Sequence, residues 1–447
     1  MKKILLALLI TAALVSSLCL GQIMGAVYIF DSKIESALNK VQSKVKGLSF
    51  DIASSEGYFG SRRLVVNYAY ALSENMAQFY KTDKIYGAFE LNLNIGILAF
   101  RTDIKPVRGY GNLDTLLSGF SKDSIDYHAV FEGSAFSMSA GGVINLKPIQ
   151  AGYETLQCTL GESAAVFDLK DLSTLKVDLK SAGLLCNENT RYNFKNALNF
   201  TLRDLLFSAN IDIEKKSIRD NINFALSLFD LDFSTVYALG FKNDEKVKDM
   251  SVRERFTLEG FNSKLSLKDA GQGKTALGFD AAGNIGIFMP YIKNDRVQSG
   301  IKLDNMLLNF DVDGIMLGNI DKALKLKDAK KAVATLLGKG LFSFNLKQFS
   351  FVSGGDKSLI DAKVEFFVDE IWKSISSFEV QSSINLAKSF IRSLPPSYQK
   401  DMENASVNGV FSEGFDSYSS SVSYKDGALY INGTKQDVKD SEPDEQD

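Results

Sequence analysis

A single histidine, His128, stands among 447 residues. That scarcity removes most zinc sites, which draw on several nitrogen or sulfur ligands, and any Ser-His-Asp arrangement that does not use His128 itself. No Gly-x-Ser-x-Gly elbow is present. Within Ile125-Asp-Tyr-His-Ala129, His128 reads as a surface or strand residue. The six prolines fit long uninterrupted sheets, since each proline removes a ladder donor. Of three cysteines, Cys19 falls in the apolar leader, leaving Cys158 and Cys186. In an oxidising compartment these two form a disulfide whose 28-residue separation contributes about 3 kcal/mol by chain entropy; the alternative is a pair of buried free thiols.

Net charge is scarce too. Lys2 and Lys3 and an acidic end, Gln436 to Asp447, account for the total of −3, so the body from Asp31 to Lys435 is balanced. A neutral body argues against nucleic acid and gives no sign of a general attraction to anionic headgroups. Other chemistry is thinly represented. Gln272-Gly-Lys-Thr275 lacks the upstream glycine spacing of a phosphate loop and reads as a hairpin turn. Asp304, Asp311, Asp313 and Asp321 bracket Gly314 without calcium-loop spacing, and alternation puts Asp311 and Asp313 on a solvated strand face. Nothing singles out a pair of carboxylates for glycoside chemistry. The sequence therefore predicts no enzyme, no metal and no cofactor.

What is present begins with an uncharged stretch from Ile4 to Phe30 behind Lys2-Lys3. As a helix it reaches roughly 40 Å, enough to span a hydrocarbon core of about 30 Å. The leading lysines favour a cytoplasmic start with the rest exported. A cleaved signal peptide competes with this retained anchor, but the apolar run continues through Leu18, Leu20, Ile23, Met24 and Val27 to Phe30. Lipidation at Cys19 is a third option, poorly served by the bulky Leu18.

From Asp31 to Gly47, Ile34, Ala37, Leu38, Val41 and Val45 recur at helical steps, predicting an amphipathic helix that caps the first strands. The period then changes to two. Phe89, Leu91, Leu93, Ile95 and Ile97 alternate with polar residues and glycine, as do Leu175 to Leu179, Phe224 to Leu228, Phe256 to Leu258, Leu308 to Val312, Phe342 to Leu346 and Phe349 to Phe351. Turns are expected at Lys268-Asp-Ala-Gly271, Ala282-Gly-Asn284 and Ser353-Gly-Gly-Asp356. Many short one-sided strands in succession imply antiparallel meanders. Ile320 to Leu337 reads as one helix of about five turns. Asp369 to Ala405 reads as two short helices split by Pro395-Pro396. Lys425-Asp-Gly427 joins two alternating runs as a hairpin.

The Lys-Lys leader, the amphipathic helix, Gly57-Tyr-Phe59-Gly-Ser61 and the terminal Tyr424-x-x-Gly427-x-Leu429-x-Ile431-Asn432-Gly433 together resemble the YdgA-like family of bacterial envelope proteins of unknown function. The match is carried by the two ends of the chain. Gly60, the Cys158 and Cys186 pair and the acidic end depart from the family pattern. The resemblance implies an inner-membrane anchor, a periplasmic body and self-association. It supplies no catalytic residues.

The expectation is thus a mainly β (α+β) protein. A transmembrane helix over 1–30 and an amphipathic helix over 31–47 precede a β-rich body over 48–435 of one or two subdomains, with packed helices and a C-terminal β-hairpin, and an acidic disordered tail follows over 436–447. It would be a single-pass inner-membrane protein with its bulk in the periplasm. Its partners would be the membrane and a second copy of itself, in a non-catalytic scaffold. The competing role is a lipid or hydrophobic-ligand carrier, in which the one-sided strands and 32 phenylalanines leave an apolar groove.

Overall fold

The structure, a computed structural model, describes residues 30–436 except 59–60, 97–98, 113–125, 135–136, 154–155, 171–172, 190–196, 213–216, 238–249, 272, 289–290, 294–295, 299, 327–328 and 369–374. The chain divides into two compact units, residues 1–193 with 197–219, and residues 194–196 with 220–447. The strands of both pair antiparallel, in agreement with a mainly β chain carrying few helices. The expected anchor over 1–29 and the tail from residue 437 lie outside the described residues. Among the described residues no helix is long and apolar enough to cross a membrane.

The first unit opens on helix α1 (Phe30–Lys44), β1 (Leu48–Tyr58), β2 (Ser61–Ala71), the short helix α2 (Glu74–Tyr80), β3 (Lys84–Ile95) and β4 (Ala99–Gly111). It continues through β5 (Tyr127–Ser134), β6 (Ser139–Leu146), β7 (Ile149–Tyr153), β8 (Leu156–Leu160), β9 (Ser163–Lys170), β10 (Thr174–Asn189) and β11 (Ala197–Asp212). The ladder runs β1-β2-β3-β4-β5-β6-β9-β10-β11, and β8, paired with β7, lies along the C-terminal half of β10.

Because cross-strand partners share a face, the register decides what packs together. Val66 lies opposite Phe89, Leu64 opposite Leu91, Leu91 opposite Ile104 and Ile104 opposite Ala129. These residues, with Leu93, Phe100, Phe131 and Ala140, form one buried cluster onto which α1 lays Leu38. Full burial of each large side chain stabilises by about 1.5–3 kcal/mol.

Glycines let the rings lie flat on this face. Phe100 sits over Gly133 and Phe131 over Gly142, each glycine being the direct partner of that ring's residue. A Cβ at Gly133 would lie 2.2 Å from the Phe100 ring, and one at Gly142 would lie 2.1 Å from the Phe131 ring. Cys158 and Cys186 also face each other directly across β8 and β10 and are joined as a disulfide.

The second unit contains β12 (Ser217–Tyr237, of which 220 onward belongs here), β13 (Met250–Gly271), β14 (Lys274–Phe288), the small hairpin β15 (Tyr291–Lys293) and β16 (Arg296–Gln298), and β17 (Ile301–Ile315). A 3-10 turn at Leu317–Asn319, α3 (Ile320–Ala323) and α4 (Ala329–Leu337) lead to β18 (Gly340–Ser353), β19 (Asp356–Val368) and β20 (Ile375–Ala387). Then come α5 (Lys388–Ser393), α6 (Pro396–Val407), β21 (Ser412–Glu413), β22 (Ser417–Lys425), β23 (Ala428–Ile431) and β24 (Thr434–Gln436). The ladder is β12-β13-β14-β17-β18-β19-β20-β22-β23-β24, with β21 on the start of β22.

Several expectations need correction here. The strands are long, up to 22 residues in β13, where the sequence suggests separate short ones. β-Bulges account for the difference, because each adds a residue, slips the phase of alternation and leaves the strand continuous. Ala282-Gly-Asn284 is continuous strand within β14, not a turn; the bulges lie opposite it, at Gly260-Phe261 of β13 and Asp304-Asn305 of β17, and Asn284 Oδ1 accepts the Asn305 backbone N–H across the ladder at 2.8 Å. The single helix expected over Ile320 to Leu337 is broken. The i→i+3 bonds Lys325 N–H to Lys322 and Leu326 N–H to Ala323 tighten and end α3, and α4 restarts at Ala329. Residues 375–387, expected as helix, are β20, and the helices begin only at Lys388. Gln436, assigned to the tail, closes β24. The expected Asp-Gly hairpin is present with Asp426 and Gly427 both at positive φ, and Asn432-Gly433 makes a second such turn that the sequence reading passed over.

Two outcomes are expected. Gly142→Ala lowers unfolding stability by about 1–3 kcal/mol through overpacking against Phe131, whereas Gly141→Ala, whose Cβ meets nothing closer than a carbonyl at 3.3 Å, costs distinctly less. Denaturant titration of the full chain distinguishes the two, and equal losses would refute the ring-over-glycine account. Reduction of the Cys158–Cys186 bridge costs about 3 kcal/mol; thiol counting on unfolded, unreduced protein finds only Cys19 reactive, and three thiols would contradict the bridge.

Candidate functional site

The two sheet faces of the second unit differ chemically, and the register explains why. One face collects Leu226 opposite Phe261, Phe256 opposite Ile287, Phe279 opposite Phe310, Val312 opposite Phe344, Phe342 opposite Phe366 and Val380 opposite Tyr424. The other carries Asn223, Lys264, Asp280, Asn309, Asn345, Lys363 and Gln381. Each bulge moves a strand's later apolar residues back onto the first face. In β18, for example, the series Phe342, Phe344, Leu346 resumes at Phe349 and Phe351.

On that face the rings connect sideways. Phe279, Phe310 and Phe344 are linked at centroid distances of 5.1 and 5.7 Å, and Phe342, Phe366, Phe378 and Tyr424 at 4.8, 6.3 and 5.6 Å. Phe342 and Phe344 share one strand face, so the belt crosses β14, β17, β18, β19, β20 and β22, roughly 24 Å at the usual strand spacing. Beyond it, Phe229 and Phe256, and Phe224 and Phe261, pair at 5.8 and 6.1 Å. At the opposite strand ends, α5 and α6 cover the sheet with a small cluster of Ile391, Met402 and Tyr418, and Phe390 packs on Phe351 at 4.8 Å.

The extent of filling separates this face from the β2–β6 part of the first unit's apolar face, whose continuation over β9–β11 (Phe167, Leu175, Val177, Phe207) is itself half-buried. Over β2–β6, Leu64 and Val66 are 0% exposed and Phe89 1%; on the second unit's face, Leu231 and Phe233 are each 37% exposed and Phe378 is 41%. Most of the belt is half-buried.

The polar face of the first unit is a lattice of ion pairs. Arg101 meets Glu132 at 2.7 Å and Asp103 at 3.3 Å, His128 Nε2 contacts Asp103 at 3.1 Å, and Lys147 and Arg108 converge on Asp126 at 2.6 and 2.9 Å. An open depression of about 900 Å³, lined by Arg101, Glu132, Asp168, Ser134 and Gly141, lies on it. The hydrogen bond from Arg63 holds Glu90 below the ordinary carboxylate range, and that from Lys147 does the same for Asp126. Burial pushes Asp103 up, but hydrogen bonds from His128 and Arg101 outweigh it and leave Asp103 below its ordinary value. These acids are charged and already paired, which suits a solvated surface better than proton transfer.

The remaining residues singled out in the sequence scatter. Gly57 closes β1 at positive φ, Ser61 Oγ bonds Asn94 at 3.2 Å, and Phe59 lies outside the described residues. Tyr424 ends the aromatic belt, with Leu429 directly opposite, and Ile431 faces Val422. Gly427 and Gly433 complete the two tight turns. Asn432 accepts from the Ser421 N–H at 2.9 Å and donates to the carbonyls of Gly409 and Val410, fastening the hairpin to the end of α6. Asp304 pairs with Lys302 at 2.9 Å, Asp311 pairs with Lys347, and the side chain of Asp321 lies outside the described residues. Among the described residues no cluster of His, Cys, Asp and Glu could hold a metal ion. The belt is the feature that sequence reading missed. Its phenylalanines were visible strand by strand, but their lateral alignment depends on bulges that no local pattern reveals. No family model, curated protein or solved structure matches the chain.

The paired acids set an acid limit. Their contribution is present above about pH 4, where unfolded carboxylates ionise, and is lost as the pH falls through their depressed folded values. Stability should therefore fall below about pH 4, less steeply in Asp126→Asn, which at pH 7 loses no more than about 1 kcal/mol. An unchanged acid limb in that variant would show that Asp126 is not a contributor.

Proposed function

We propose that this chain is a non-catalytic envelope protein, tethered to a bacterial inner membrane by residues 1–30, whose second unit holds phospholipid acyl chains along its aromatic face. The observation that carries the reading is the contrast in burial between parts of the two units' apolar faces that share a similar pattern. Over β2–β6 of the first unit the apolar face is filled; in the second, rings aligned over roughly 24 Å are half-buried, with Phe378 41% exposed. Solvated apolar surface on this scale marks a binding surface. An acyl chain, about half the length of a 30 Å hydrocarbon core, fits along such a belt without any polar partner. The Cys158–Cys186 bridge supports an oxidising compartment, and the resemblance to YdgA-like proteins supports the anchor and the periplasmic side.

A second reading rests on β1, whose strand partner among the described residues is β2 alone. Its outer edge favours self-association into a scaffold, with Gln42 Nε2 bonding the Phe50 carbonyl near one end.

Photocrosslinking amino acids placed in the full chain at Phe233 and Phe378, in cells labelled with radioactive phosphate, should acquire phospholipid label. Asn223 and Gln381 on the opposite face should not. Absence of label at both ring positions removes the lipid reading, and protein dimers crosslinked from Ser55 on β1 would favour the scaffold.

A further inference from the structure

The connection between β17 and β18 is rich in lysine. From Met316 to Gly340 it carries Lys322, Lys325, Lys327, Lys330, Lys331 and Lys339 against Asp321 and Asp328. The body as a whole is neutral, so this net positive stretch is a local exception hidden by the total.

Its apolar residues also behave unexpectedly. By sequence spacing, Ile320, Ala323, Leu324 and Leu326 belong to one buried helical face. Only Ala323 is buried, at 4%, while Leu324 is 79% exposed and Ile320 and Leu326 about two fifths exposed (39% and 41%). The segment is nevertheless held by backbone bonds. Leu324 N–H donates to Ile320 at 2.9 Å, Met316 N–H to Leu336 at 2.6 Å, and Asn319 Nδ2 to the Thr335 carbonyl at 3.1 Å. The break after α3 thus presents leucines outward beside the exposed Lys322 and Lys325, neither of which has a carboxylate partner among the described residues.

We infer that the end of α3, with Leu324 and Leu326 beside Lys322 and Lys325, docks on an anionic phospholipid bilayer. The exposed leucines suit the acyl boundary, and the lysines next to them in sequence suit phosphate headgroups, since lysine stems lie along apolar surface. Its place in the fold adds a purpose that rests on the lipid reading above. The connection leaves the end of β17 and enters the start of β18, the strand end where Phe342 and Phe344 begin the belt, away from α5 and α6. Docking there brings the belt's end to the headgroups from which a lipid would leave.

The test uses the full chain held in phosphatidylcholine nanodiscs and sucrose-loaded vesicles of phosphatidylcholine with or without phosphatidylglycerol, separated by sedimentation. Anionic vesicles should capture the protein, and added salt should weaken capture. Lys322→Ala with Lys325→Ala should lower partition about 30-fold, on the order of fivefold per lysine. Leu324→Ala should lower it about tenfold, and Val407→Ala, at an 87% exposed site on α6, should leave it unchanged. Equal capture by neutral vesicles, or no effect of the lysine changes, overturns the inference. Capture by no vesicle does so as well, and leaves the patch to an acidic protein. Phosphate labelling at Phe233 and Phe378 in the same variants separates the two ideas. Label retained with docking absent removes the docking surface alone, and label absent with docking intact removes the belt as a lipid site.

Discussion

Cross-strand register is the constraint on which the rest of the structure depends. A strand has two faces, and an error of one residue in pairing would turn every apolar side chain to the wrong side. In this chain, register keeps Leu64, Val66, Phe89 and Leu91 together in one unit and Phe279, Phe310, Phe344 and Phe366 together in the other. Strands of 15–22 residues cannot hold strict alternation and a bent sheet at once. The bulges at Glu259/Asn262, Gly283/Ile285 and Asp304/Leu307 absorb the conflict, and each restores the apolar residues to the same face.

The two units use that constraint for different ends. In the first, glycines opposite Phe100 and Phe131 let the rings fill the face, and the cluster around Phe89 excludes solvent. The polar side is occupied by ion pairs of small individual value. In the second, rings sit beside rings, with side-chain burial incomplete across most of the belt. Exposed Leu324 and Leu326 extend the same theme at the strand ends, beside Lys322 and Lys325. An apolar belt, exposed lysines at its end and an expected leader are the features on which the lipid proposal rests.

Legibility followed locality. Alternation at Phe89 to Leu93, the Asp426-Gly427 turn and the helix carrying Leu38 and Val41 could be read from neighbours in sequence, because each depends on a few adjacent side chains. Ala282-Gly-Asn284 could not, because a turn and a strand flanked by its neighbours' bulges can use the same residues and differ only in what lies across the ladder. Ile320 to Leu326 misled for a related reason. Helical spacing states which residues share a side, not whether anything packs on that side, and here only Ala323 found a partner surface.

The sequence by itself determined the class of the protein. Period-two apolar patterning, six prolines and a lone histidine make a long antiparallel sheet without familiar catalytic groups. Only the tertiary structure decided which apolar residues are fully buried and which stay half-buried, and that Cys158 lies against Cys186 and Tyr424 against Phe378. The physical reason is distance along the chain. Alternation is encoded every second residue, whereas lateral alignment is set by hydrogen bonds between strands tens of residues apart, and burial by what those strands bring to cover one another.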